Sequence, residues 1–328
     1  MRWPFARHAT EGAHLPKNFA ITGVGGFIAP RHLQAIYDTG HQVVAAVDPH
    51  DAVGLLDRFS FGVRFFTEFE RFDRHLEKLR RGPDADRVHY VSICSPNYLH
   101  DAHIRLALRV GADAICEKPV VINPWNLDAL QELERETGRR VDTVLQLRLH
   151  PALRALHDRL RASGRSYDVR LTYVTARGPW YDVSWKGSEE RSGGLVTNIG
   201  IHFFDLLLWL FGRALRWEVY ERERARVSGA VEFERATVSW LLSTSPEDLP
   251  GSAADPGGRM TYRSLQIAGE EVDFSDGFAD LHAAVYREVL AGNGFGLEVA
   301  RPSIELCYRI RHSTVTASPA LAVHPSTG

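Results

Sequence analysis

Phe19-Ala20-Ile21-Thr22-Gly23-Val24-Gly25-Gly26-Phe27-Ile28-Ala29 is a short apolar strand running into a glycine-rich turn, with a helix pattern opening at Phe27 and continuing to Asp38. Glycine permits a tight turn at the end of a strand. It also lets backbone approach a pyrophosphate, whose charge the N–H groups and dipole of the next helix receive. The spacing is not a clean G-x-G-x-x-G, because position 28 is isoleucine. It reads as Gly23-x-x-Gly26-x-x-Ala29, with a small residue where helix meets strand. Gly23, Gly25, Gly26, Phe27 and Ile28 are the candidate pyrophosphate contacts. Such turns also occur without a ligand, so a second mark is needed.

Asp48 supplies it. The residue ends the apolar run Val43–Val47 and lies 25 positions after Gly23, near the offset of about 20 expected of a ribose-binding carboxylate. A carboxylate there accepts from both ribose hydroxyls and repels a 2′-phosphate. Pro49 and His50 follow, with no arginine at the turn, so NAD is favoured over NADP. An aspartate here also suits a helix N-cap, which is compatible with the same role.

Outward from this unit, strand and helix signals alternate. Arg64–Phe66, Val88–Cys94, Ala112–Cys116 and Val141–Leu147 read as strands; Glu68–Arg81, Tyr98–Val110 and Pro124–Thr137 read as helices, the last with Asn123 as its cap. The succession predicts an α/β fold: an N-terminal Rossmann domain with a doubly wound parallel sheet. After Leu149 the grammar changes. A helix over Pro151–Ala162 leads into long strand-like runs at Asp168–Ala176, Arg216–Ala225, Ala230–Ser243 and Tyr262–Ala268, interrupted by a helix from about Gly200 to Phe211. Strands joined without crossover helices predict a C-terminal α+β domain with a largely antiparallel open sheet. Pro250–Arg259 is a Gly/Pro/Ser/Ala-rich loop, and helices close the chain near Ala279–Leu290 and Val299–Thr314. The expected division is an extension over 1–17, an NAD-binding domain over 18–149, and a substrate-binding and oligomerisation domain over 150–328.

Composition narrows the function. Lys+Arg 39 against Asp+Glu 41 gives a formal net charge of −2, which offers no basic footprint for nucleic acid. The longest apolar stretch, Phe203–Phe211, is broken by Asp205 and too short for a membrane span. The three cysteines, Cys94, Cys116 and Cys307, have no metal-ligand spacing, so no metal is expected and a reduced, cytoplasmic setting fits.

Cys116-Glu117-Lys118-Pro119 marks the chemistry. A lysine ending a buried strand is costly to place, and the carboxyl ends of parallel strands line the ligand crevice. Ser95-Pro96-Asn97 closes another strand with His100 three residues on, Gln146-x-Arg148 closes a third, and Asn198-x-x-x-His202 opens a helix in the second half. In this order the motifs resemble the Gfo/Idh/MocA oxidoreductase family from about Asn18 to Arg311. A narrower resemblance, to UDP-N-acetylglucosaminuronate 3-dehydrogenases, rests on Ile28–His32, Ser92–His100, Arg177–Tyr181, Trp185–Gly187 and Thr197–Phe203. It implies NAD-dependent oxidation of the C3 hydroxyl of UDP-2-acetamido-2-deoxyglucuronate, in synthesis of diacetamido-uronic acid for bacterial surface polysaccharide. It also implies a homodimer or homotetramer formed through the open sheet. Many family members have aspartate where this chain has Asn198.

Hydride loss from C3 requires a base within reach of the hydroxyl proton. His202 and Lys118 are both candidates, and both are expected to touch the C3 oxygen. Ser95, Pro96, Asn97, His100, Glu117, Lys118 and Gln146 are expected along the cofactor. Arg148, Arg177 and Lys186 are candidates for the phosphates and the uronate carboxylate. Trp180 and Tyr181, with Trp185, form an aromatic loop for uracil or sugar, although core packing explains them equally. Asn198 completes the substrate set. Two other readings stay open: a dehydrogenase of another sugar, nucleotide sugar or cyclitol, and a non-catalytic dinucleotide-sensing regulator. The regulator would not need both Lys118 and His202.

Overall fold

In the computed structural model of the chain, which describes residues 16–250, 260–272, 274 and 280–317, β1 (Asn18–Thr22) is buried along its whole length. It pairs on one side with β2 (Gln42–Val47) and on the other with β4 (Tyr90–Ile93). β3 (Arg64–Phe66), β5 (Asp113–Cys116) and β6 (Val141–Thr143) complete a six-stranded parallel sheet in the order β3-β2-β1-β4-β5-β6. The helices between strands are α1 (Ala29–Asp38), the short α2 (Val53–Leu56), α3 (Phe69–Arg80), α4 (His100–Arg109) and α5 (Pro124–Thr137). Strand order reverses between β1 and β4, and in an open α/β sheet that reversal opens a crevice at the carboxyl ends.

The strand expected over Val141–Leu147 is shorter. Its neighbour in the sheet, β5, ends at Cys116 opposite Thr143, and the ladder stops there. The chain tightens instead into a 3₁₀ turn over Gln146–Leu149. Asn123 stands at the start of α5 but makes no cap; its side-chain oxygen accepts from Arg311.

The second half begins with α6 (Pro151–Ser163) and builds a second six-stranded sheet from β7 (Tyr167–Thr175), β8 (Ala214–Arg222), β9 (Arg226–Phe233), β10 (Ala236–Ser243), β11 (Thr261–Ile267) and β12 (Glu270–Glu271). Its order is β12-β11-β7-β10-β9-β8, and every pairing is antiparallel except β7 with β10. The single strand expected over Ala230–Ser243 is two, because the polar pair Glu234-Arg235 turns the chain. Between β7 and β8 lie α7 (Trp180–Val183), α8 (Glu189–Ser192), a wide π-helical turn over Val196–Gly200, and α9 (Ile201–Phe211). Residues 189–211 have the length and apolarity of a membrane span, but 67% of the most apolar window is buried, as befits a core helix under a sheet.

Two helices close the described chain, α10 (Leu281–Leu290) and α11 (Leu297–His312). α10 returns to the first sheet. Tyr286, Val285 and Val289 join Phe19, Ile21, Leu33 and Ile36 in one core, so the first half is completed by a segment more than 100 residues downstream of its last strand. The extension over residues 1–15 and the loop over 251–259 lie outside the described residues.

Candidate active site

The glycine turn is packed too tightly for side chains. Gly23 has φ +72°, and a Cβ there would lie 2.5 Å from Ser95 N; one on Gly25 would lie 3.2 Å from the Asp48 carboxylate. Gly26 N–H closes the turn on Gly23 O at 3.0 Å. Asp48 Oδ2 accepts from Gly25 N–H and Oδ1 from His50 N–H, both at 2.9 Å. The carboxylate thus stands at the end of β2 beside the turn, where the ribose reading requires it. Phe27 projects into solvent at 86% exposure, and α1 starts after it with no acidic residue in its first turn to oppose an anion.

At the end of β4, Ser95 Oγ and Thr22 Oγ1 lie 2.9 and 3.0 Å from His103 Nδ1. Burial, then the charge of His100, takes His103 down to about 3, so this imidazole is a neutral structural group. His100 is buried. Its Nδ1 lies 2.7 Å from Pro119 O and its Nε2 2.8 Å from Ser95 O, which sets the ring between two strand-end loops.

Asn97 Nδ2 donates to Ser192 O at 2.8 Å and to Asn198 Oδ1 at 3.3 Å. Asn198 Nδ2 donates to the Tyr181 hydroxyl at 3.1 Å, and Asn198 O accepts from Lys118 Nζ at 3.1 Å. Asn198 therefore joins the first sheet, the aromatic loop and the lysine at one point. An aspartate would reverse the Tyr181 bond, its carboxylate accepting from the hydroxyl.

Lys118 and His202 are both half-buried, and burial lowers both. For Lys118 the charge of Glu117 opposes that shift and Lys186 adds to it. His202 is held well below its ordinary value, first by burial and then by the charge of Lys118, so the imidazole is neutral near pH 7. Lys186 Nζ lies 5.5 and 5.7 Å from the Trp180 and Trp185 ring centres, cation–π distances, and burial and then Arg177 lower it. Arg177 itself is exposed. The rim is cationic: Lys186, Arg177 and, toward His202, Arg263. Arg263 was not a sequence candidate, because an arginine inside a strand pattern carries no distinguishing signal.

Two further candidates make buried bonds within the protein. Arg148 Nε and Nη2 donate to Asp205 Oδ2 and Oδ1 at 2.9 and 2.8 Å, with the two side chains 15% and 3% exposed. Glu117 Oε1 binds His32 and His282. Gln146 leaves its buried Oε1 without a partner among the described residues. A glycine turn with no room for Cβ atoms, a carboxylate at the ribose position and a buried free amide oxygen together fit a nicotinamide dinucleotide.

Comparison with known proteins agrees. Residues 17–144 match the oxidoreductase family model with an NAD-binding Rossmann fold, and residues 165–244 match the C-terminal alpha/beta domain of that family. The WlbA (WbpB) dehydrogenase from Thermus thermophilus, solved with NAD and alpha-ketoglutarate, is 52% identical with a TM-score of 0.90, covering 94% of this chain and 99% of that one. The same enzyme solved with NAD and UDP-GlcNAcA is 51% identical with a TM-score of 0.89 over the same shares. D-Glucoside 3-dehydrogenase from Escherichia coli is 31% identical over 129 residues, 37% of this chain; the match spans only 35% of the E. coli protein.

Proposed function

The chain belongs to the Gfo/Idh/MocA oxidoreductase family, and we propose that it oxidises the C3 hydroxyl of UDP-2-acetamido-2-deoxyglucuronate to the 3-keto sugar, with NAD as cofactor. The observation that carries this reading is the bond from Lys118 Nζ to Asn198 O, which brings the strand-end lysine to the turn that runs into the helix of His202, beside the cations Lys186 and Arg177. The Thermus enzyme, 51% identical, was solved with UDP-GlcNAcA and NAD.

Bound NAD supplies the hydride acceptor. Gly23, Gly25, Gly26 and Asp48 hold its pyrophosphate and adenosine ribose, while Asn97 and Gln146 serve the nicotinamide half. The protein's own task is the hydroxyl proton. The C3 O–H bond breaks as its C–H pair leaves, and the proton passes to His202 or Lys118. Both are less basic than usual because the site is dry, which keeps a neutral acceptor available at neutral pH. The backbone carbonyl of Asn198 fixes the ammonium of Lys118, and the side chain of Asn198 fixes Tyr181. Lys186 and Arg177 take the sugar's carboxylate or phosphates. The deciding experiment is incubation with NAD and a panel of UDP-sugars, following reduced cofactor and product mass, with α-ketoglutarate added in parallel to test whether a 2-oxo acid sustains turnover. No reduced cofactor and no mass change with any uronate would defeat the reading.

Two expected results follow from the rim and from Asp48. The rim cations Lys186 and Arg177 lose their anion when the sugar is neutral, so turnover of UDP-N-acetylglucosamine should fall below that of the uronate. Comparable kcat/KM for the two sugars would refute the carboxylate contact. NAD should bind more tightly than NADP, since a 2′-phosphate would meet the Asp48 carboxylate beside Gly25. Asp48→Ala should narrow that difference. Equal affinity for both dinucleotides in the parent protein, read by fluorescence titration, would remove the ribose assignment.

A further inference from the structure

Glu117 stands at the centre of a buried polar chain that the reaction does not use directly. Its Oε1 accepts from His32 Nε2 at 2.9 Å and from His282 Nε2 at 3.2 Å. His32 Nδ1 lies 2.8 Å from the Tyr286 hydroxyl, which lies 2.6 Å from Ser92 Oγ. All five side chains are buried, and they come from α1, β4, the end of β5 and α10. One proton assignment satisfies them. Ser92 donates to Tyr286, Tyr286 donates to His32 Nδ1, and both histidines donate Nε2–H to an ionised Glu117. Burial pushes the Glu117 carboxyl up, but the bonds from His282 and His32 outweigh it and hold the group well below the carboxylate range. Burial keeps His32 neutral. Among the described residues no lysine or arginine pairs with Glu117, and its carboxylate belongs to the residue next to Lys118.

We propose that Glu117, kept ionised by His32 and His282, is a positioning residue that sets the protonation of Lys118 and through it the pH at which the site works. The proposal rests on the reading of Lys118 as a group acting on the substrate hydroxyl. The groups facing Lys118 are Glu117 beside it, His100 on α4, Lys186 after α7, His202 on α9 and the carbonyl of Asn198. His100 and His202 are lowered by burial, and Lys186 repels the ammonium. Around Glu117 the other groups are the Cys94 and Cys116 thiols and Tyr286, all pushed up by burial and therefore uncharged. Glu117 is thus the one side-chain charge in this set that favours the ammonium form. The Asn198 carbonyl fixes its direction, and the buried carboxylate sets how readily it gives up a proton.

The test reads Lys118 itself. Competitive acetylation across pH, with the peptide carrying Lys118 quantified by mass spectrometry, gives its titration in the parent, Glu117→Gln and His282→Leu proteins. The kcat–pH profile is measured on the same three. Glu117→Gln should move the labelling midpoint, and the acid limb of kcat with it, to lower pH by about one unit. His282→Leu removes one of the two donors, and His282 Nδ1 has no partner to lose; it should move both in the same direction by less. An unchanged labelling midpoint in Glu117→Gln overturns the proposal; should that variant fail to fold, an unchanged midpoint in His282→Leu does so. A moved labelling midpoint with an unmoved kcat limb keeps the tuning and removes Lys118 as the base. The three ligand atoms also lie within 4.8 Å of one another. A stoichiometric metal ion in the purified protein, absent from Glu117→Gln, would replace the proton account and overturn it.

Discussion

Lys118→Ala and His202→Asn are each expected to lower turnover by about 10²-fold or more, the usual scale for a proton-transfer group. Lys118 ends β5 at the crevice, and His202 lies in the first turn of α9 in the other half of the chain. His202 feels the charge of Lys118, and Lys118 Nζ donates to the carbonyl of Asn198, four residues before His202. Proton abstraction needs a neutral acceptor, and burial lowers both groups, so the parent's acid limb should fall below the ordinary range of whichever residue is the base. NAD affinity should change little in either variant, since neither residue is assigned to the pyrophosphate or the adenosine ribose. Because the two share one proton, the double variant should lose less than the product of the single losses. Near-normal kcat in one variant excludes that residue as the base. Full activity in both would remove the assignment and favour the dinucleotide-sensing reading.

The parts of the site legible in the sequence are those fixed by local rules. Gly23 lies in a turn where a Cβ would strike Ser95 N, and a Cβ on Gly25 would crowd Asp48, so the glycines announce the geometry directly. Asp48 is found by its offset from that turn, and Lys118 by the oddity of a charged residue closing an apolar strand. Asn198 was visible as a departure from aspartate, but its task was not, since the Tyr181 and Asn97 bonds join residues 17 and 101 positions away. The partners of Glu117 were hidden for the same reason. They sit on α1 and on α10, and nothing in the periodicity of α10 says that it abandons the second sheet for the first core. The register of a strand is a local matter; the side of the strand end to which a carboxylate turns is decided by helices that arrive from elsewhere.

Arg148 separates the local reading from the tertiary one most sharply, and Arg148→Met should cost about 3–5 kcal/mol of stability while leaving substrate discrimination intact. As the last polar side chain of a strand-end motif, Arg148 looks like an anion receptor. In the fold its Nε and Nη2 donate to Asp205, which is 3% exposed inside α9. A methionine of similar length keeps the packing and leaves a carboxylate buried without a cation, the expensive half of a broken pair. Burial raises the Asp205 carboxyl above its ordinary value and Arg148 pulls it back. Without the guanidinium the folded-state value rises further above that of the unfolded chain. The folded form then binds an extra proton, so the deficit of the variant should shrink as pH falls through that raised value toward the ordinary carboxylate range. Urea denaturation at neutral and at mildly acidic pH measures this. The kinetic side is read as the ratio of kcat/KM for the uronate to that for the neutral UDP-sugar, which cancels any loss of folded enzyme. That ratio should survive Arg148→Met and collapse in Lys186→Ala, whose ammonium stands over Trp180 at the cationic rim. A collapsed ratio with unchanged stability in Arg148→Met would return the arginine to the substrate and take it from Asp205.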